Sequence, residues 1–173
     1  MQRCVKVSAT VLAMVALLSG CATTPEGPMA GAKLEARSDS SARGVVSFTE
    51  IEKNMKVFVD ITGINPGEHG FHIHEVGDCS AFDGSSAKGH YNPDSKAHGH
   101  HVGTERHAGD MPNLLADDYG TVRTTLFVSG LTLSGDKSIV GRSVVVHAAP
   151  DDYKSQPAGN SGKRIACGVI TPM

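Results

Sequence analysis

The stretch GFHIHEVGDCS, Gly70 to Ser80, places two histidines one residue apart and a cysteine five residues after the second. In an extended strand, residues i and i+2 share a face. His72 and His74 therefore project together, and Phe71 and Ile73 project to the other side. Two neighbouring imidazoles on a stiff strand read either as the polar face of a half-buried strand or as half of a metal site. Further along, GHYNPDSKAHGHHVGTERHAGD carries His90, His98, His100, His101, His107 and Asp110, and His147 ends the run SVVVH. His69 completes the nine histidines of the chain. A single loop histidine is ordinarily solvated. Together these exceed what one metal ion needs, and they gather around a segment with few large apolar residues.

The elements that must position them read as strands. RGVVSFTEI and NMKVFVDITGI flank a polar turn around Glu52 to Asn54, and Met55, Val57, Val59 and Ile61 alternate with Lys56, Phe58 and Asp60. Phe58 spoils a strict alternation. GEHGFHIHEV follows the turn Asn65-Pro66-Gly67, and GTVRTTLFVSGLTL, SVVVHAAP and KRIACGVITP come later. No segment shows sustained helical spacing. Short β-branched runs punctuated by Gly, Asp and Pro predict an antiparallel sandwich or barrel. Between Val76 and Tyr119 the pattern stops, and APDDYKSQPAGNSGK makes a second gap before the last strand. Connections this long need something other than a core to order them. Metal and a disulfide are the available staples.

The chain has 173 residues. Its start, MQRCVKVSATVLAMVALLSGC, has the basic opening (Arg3, Lys6) and short apolar run of a secretory signal. Leu18-Ser19-Gly20-Cys21 resembles the lipobox of bacterial lipoproteins. That resemblance implies lipidation of Cys21 and, with Ala22 next instead of Asp, sorting to an outer membrane. Residues 1–20 are thus expected to be a signal peptide, 21–41 a flexible tether rich in small residues, and 42–173 one folded domain with a single core. Beyond residue 20 there are 14 basic and 18 acidic side chains, a net −4. No basic run points to a nucleic-acid partner. Cys79 and Cys167 are the cysteines left in the domain, and in an exported protein they are expected to pair. Closing that loop constrains the unfolded chain by about 4–5 kcal/mol in the chain-entropy account.

GFHIHEVGDCS, GHYNPDSKAHG, ERHAGDMPN, VVVHAAPDD and GNSGKRIACGVI together resemble the copper,zinc superoxide dismutases of the bacterial exported type, over about Ala42 to Thr171. The resemblance implies a flattened Greek-key β-barrel, an immunoglobulin-like sandwich architecture with two long loops forming the metal site. It implies one copper per subunit on His72, His74, His90 and His147, and one zinc on His90, His98, His107 and Asp110, with His90 shared. Four imidazoles suit Cu(II), and three imidazoles with a carboxylate suit zinc. The family register selects His98 and leaves His100 and His101 as solvated neighbours. Asp151 matches the carboxylate joining a copper-ligand histidine to a zinc-ligand histidine, here His72 and His98; Asp152 reads as a surface residue. Arg164 matches the cation that guides the anionic substrate; Lys88 and Lys96 are further candidates by their charge, and the sequence does not place them.

The implied reaction converts two superoxide anions and two protons to O₂ and H₂O₂ by alternating Cu(II)/Cu(I), with His90 and Arg164 as catalytic residues. The partners implied are superoxide and a membrane through the Cys21 lipid; relatives of this type occur both as monomers and as homodimers, and the sequence leaves that choice open. Two rival readings stay open at this stage: a copper- and zinc-binding protein of the same fold without turnover, and a zinc hydrolase using Glu75 as base.

Overall fold

The computed structural model describes residues 27–173. The signal segment and Cys21 lie outside the described residues. Among the described residues, ten strands carry the fold: β1 (Met29–Ala36), β2 (Arg43–Ile51), β3 (Asn54–Thr62), β4 (Gly67–His69), β5 (Phe71–His74), β6 (Leu114–Ala116), β7 (Thr121–Ser129), β8 (Ser143–His147), β9 (Arg164–Val169) and β10 (Thr171–Pro172). The main sheet runs β5-β8-β9-β1-β2-β3-β7, with β10 beside β1, and β4 pairs with β6. All these pairings are antiparallel. The sheet curls around one core, in keeping with the expected Greek-key barrel.

Alternation explains the inner face. Met55, Val57, Val59 and Ile61 of β3 are fully buried. They face Phe48 and Val46 on β2, and Val128, Leu126 and Val122 on β7. Each such side chain contributes about 1.5–3 kcal/mol on leaving water. Phe58, the residue that breaks the pattern, points outward between Ser47 and Thr125 and is half-buried.

Two expectations need correction. The tether does not extend to residue 41, because Met29–Ala36 is a central strand: it pairs with β2 along Met29–Leu34 and with β9 at Glu35 and Ala36. Its inward residues are Ala30, Ala32 and Leu34, small enough that the segment reads as polar linker. The stretch from Val76 to Tyr119 is also less coreless than its composition suggests. Tyr91, Met111 and Leu114 all join the main core.

The three parts that frame the histidines are β5, β8 and the loop between β5 and β6. Phe71 and Ile73 enter the core while His72 and His74 turn to the other face, and all four are buried because the loop covers that face. A second small cluster, Ala87, Val145 and Cys167 with Cys79 against it, seals the loop to the sheet.

Candidate metal centre

β5 has β8 on one edge and the loop on the other. Tyr91 N–H donates to Ile73 O at 2.8 Å, and Ile73 N–H to Gly109 O at 3.0 Å. These isolated bridges set His90 opposite His74, and Asp110 opposite His72. Gly109 permits the approach: a Cβ there would stand 2.2 Å from Ile73 O. His147 arrives from β8, beyond a register shift after Val146, and its ladder partner on β9 is Arg164. Irregularities of this kind re-aim a side chain.

Two clusters of ligand atoms result, each with its atoms within 4.8 Å of one another: His72, His74, His90 and His147, and His90, His98, His107 and Asp110. All seven residues are buried. His90 belongs to both sets. These are the two sets expected from the sequence. His100 is exposed and His101 half-buried, stacked on each other with ring centroids 4.3 Å apart and outside both clusters.

The donor atoms fit metal ions. His72 Nδ1, His90 Nε2, His98 Nδ1 and His107 Nδ1 are buried without a hydrogen-bond partner. Native interiors rarely leave such atoms orphaned. The opposite ring nitrogens are occupied instead: His72 Nε2 donates to Asp151 Oδ2 at 2.9 Å, His98 Nε2 to Asp151 Oδ1 at 2.9 Å, and His74 Nδ1 to Lys88 O at 2.9 Å. Holding the outer N–H on an acceptor leaves the inner lone pair free, the usual arrangement around a bound metal. Asp110 Oδ1 stands 2.8 Å from His90 Nδ1, 3.1 Å from His98 Nδ1 and 3.4 Å from His107 Nδ1. Its Oδ2 accepts the main-chain N–H of His107 at 2.8 Å and of Gly99 at 3.1 Å.

The electrostatics divide the sets. Burial is the largest influence on His72, His74, His90 and His147, and it lowers all four; His90 falls to about 4. The charge of Arg164 adds to the lowering at His74 and His147, so its guanidinium acts on this set. Burial opposes charge on His98 as well, but the nearby carboxylates of Asp110 and Asp151, the latter hydrogen-bonded to it, outweigh it and raise His98 to about 9. Burial likewise works against both carboxylates, and their histidine partners override it, holding Asp110 and Asp151 below the usual carboxylate range.

Arg164 is half-buried at the start of β9, donating to Gly84 O and Lys88 O. Cys79 and Cys167 form a disulfide with Cα atoms 5.7 Å apart, which ties the loop to β9 three residues beyond Arg164. Asp152 is exposed and caps the N–H groups of Lys154 and Ser155. Lys96 is committed to Thr104 O and Glu105. The sequence reading missed Asn113 and Arg106. Asn113 holds the main chain of Asp151, and Arg106 ties the carbonyl of His107 to that of Ser129. No spacing rule marks such contacts.

A family model described as copper/zinc superoxide dismutase matches residues 42–170. The chain belongs to that family. It is 45% identical over 133 residues to Superoxide dismutase [Cu-Zn] 2 of Aquifex aeolicus, covering 73% of this chain and 78% of that protein. It is 41% identical over 144 residues to Superoxide dismutase [Cu-Zn] of Schizosaccharomyces pombe, covering 78% and 92% respectively. Among solved structures, the clock protein EA4 is similar with a TM-score of 0.77 and 39% identity, covering 84% of this chain and 94% of that one.

Proposed function

We propose that the chain is a superoxide dismutase, an oxidoreductase converting two superoxide anions and two protons to O₂ and H₂O₂, with one copper and one zinc per subunit. His72, His74, His90 and His147 would hold copper, and His90, His98, His107 and Asp110 would hold zinc. Copper supplies the one-electron redox between its two oxidation states, and zinc supplies fixed charge and loop order. The observation that carries the reading is His90, a single buried ring that belongs to both ligand sets, with Nδ1 2.8 Å from Asp110 Oδ1 and Nε2 without a hydrogen-bond partner.

The remaining roles belong to the protein. Nε2 of His90 is the site at which a proton is held and given up at the boundary of the two sets. Asp151 accepts from the rings of His72 and His98 and so orients one ligand of each set. Arg164, beside His147 in the ladder, binds and orients the anion against a chain whose net charge would repel it. The disulfide holds the loop residues that receive the guanidinium. A metal-binding protein without turnover would have no use for a positioned cation at this place.

His74→Ala tests the assignment. The variant loaded with both metals should lose acceleration of superoxide decay and keep zinc stoichiometry by elemental analysis. Full activity would overturn the copper set.

The finer reading is an exported bacterial lipoprotein with a signal at residues 1–20, a lipid on Cys21 and an anchor in the outer membrane, working in the periplasm on superoxide from outside the cytoplasm. The charge and apolar pattern of residues 1–21 supports it, as does a disulfide suited to an oxidising compartment. The folded domain then includes β1 from Met29, so the expected tether of 21–41 overlaps it. Association as a homodimer belongs to the same reading. Membrane fractionation of wild type and Cys21→Ser, with mass measurement of the mature N-terminus, decides the anchor; sedimentation decides the dimer.

A further inference from the structure

His98 sits on irregular chain, and among the described residues no main-chain group hydrogen-bonds its N–H or its carbonyl. It is nevertheless buried, with only 4% of its surface exposed. Leaving both groups unpaired there would be costly. One side chain satisfies both. His98 N–H donates to Gln156 Oε1 at 2.9 Å, and Gln156 Nε2 donates to His98 O at 2.9 Å. The amide thus pairs with His98 as a neighbouring strand residue would. Gln156 Nε2 also lies 3.4 Å from Lys154 O, within its own loop.

The same device runs in the opposite direction next to it. Asn113, at the end of the first loop, accepts Asp151 N–H at 2.9 Å and donates to Asp151 O at 3.0 Å. Each loop therefore holds the backbone of the other loop's key residue. The two held residues meet through His98 Nε2 and Asp151 Oδ1. None of these contacts occupies His98 Nδ1, the ring nitrogen left without a hydrogen-bond partner, so the clasp can act on the His98 backbone independently of coordination. A ligand whose main chain is already fixed loses less freedom on binding.

We propose that Gln156 is a positioning residue for the zinc set: its carboxamide pre-sets the backbone of His98, and through it the zinc affinity of the protein. The proposal rests on His98 being a zinc ligand. It assigns Gln156 no contact with copper or substrate, so its effect should fall on one metal.

The test uses the purified protein and Gln156→Leu, with chelator competition for zinc and for copper measured separately, and hydrogen exchange read at the His98 amide. Removing partners of metal ligands typically weakens affinity roughly 10–100-fold. The expected result is a zinc loss at the low end of that range, with copper affinity held within about threefold. The His98 amide of the zinc-free wild type should be protected relative to that of Val102, and the protection should vanish in the variant. Gln156→Glu keeps the acceptor but turns a carboxylate oxygen toward His98 O. It should also weaken zinc, and it serves if the leucine variant does not fold. Unchanged zinc affinity in the folded variants, equal losses for both metals, or an unprotected His98 amide in zinc-free wild type would each overturn the proposal. The underlying assignment fails differently: His98→Ala would then bind zinc as wild type does.

Discussion

Arg164 and His74 meet on one acceptor, the carbonyl oxygen of Lys88, which receives Arg164 Nη2 at 2.5 Å and His74 Nδ1 at 2.9 Å. Lys88 holds a positive φ of 64°, a strained conformation for a residue with a side chain, costing about 1–3 kcal/mol. The backbone is bent at the point where a candidate copper ligand and the candidate substrate cation share a support. Any displacement of this carbonyl moves both groups at once.

Replacing Arg164 by Ala should therefore act on substrate capture and leave the metals in place. The expected loss in kcat/KM is roughly tenfold or more, with a flatter dependence on ionic strength, because the local cation focuses the anion. Pulse-generated superoxide decay across a salt series measures both. An unchanged rate and salt response would remove Arg164 from the mechanism.

Gly159 offers a second point of attack. It has a φ of +64°, and a Cβ built on it would lie 1.7 Å from Asp151 Oδ1 and 2.7 Å from His98 Nε2. Gly159→Ala must displace the carboxylate that joins the two ligand sets. Both metals should be held roughly 10–100-fold more weakly, seen as loss of copper and zinc on dialysis against a chelator.

The disulfide joins residues 88 positions apart and encloses the first loop from Cys79 onward. Replacing Cys79 and Cys167 together by Ser should lower the stability of the metal-free protein by about 2–5 kcal/mol, measured by urea unfolding. If the loss falls below that range, the cluster of Ala87 and Val145 holds the loop without the bond.

The pH response of the metal-free protein follows from the depressed histidines. His72, His74, His90 and His147 have folded pKa values below the unfolded value, so as pH falls through about 6.5 the unfolded chain binds more protons and stability drops. Asp110 and Asp151, also depressed, contribute stability that is lost at still lower pH. His98 runs the other way: raised to about 9, it stabilises fully below about 6.5 and that share is lost as pH rises through about 9. Four groups outweigh one, so the unfolding midpoint should fall between about pH 7 and about pH 5. Zinc added near neutral pH should displace the His98 proton, detectable as acid release in weak buffer.

Much of the site was legible because its chemistry obeys simple periodicities. The strand period of two brings His72 and His74 together, and the density of imidazoles in a stretch poor in core residues announces ions. The strands 43–51 and 121–129 likewise follow from alternation and turn residues. What escaped obeys no local rule. The inward face of β1 is Ala30, Ala32 and Leu34, and two alanines carry almost no hydrophobic signal although their small size suits a crowded strand. β6 is too short to show a period. Asn113 and Gln156 act on residues 38 and 58 positions away, and an amide in a polar loop looks the same whether it clasps a backbone or faces water.

The position of β1 carries a practical consequence. The recognisable sequence signature starts at residue 42, which invites trimming an expression clone there. Such a clone would lack the seam between β9 and β2, baring two rows of unpaired peptide groups in the middle of the sheet. Its failure would be insolubility and not an empty metal site, and an inactive preparation of that kind would say nothing about catalysis.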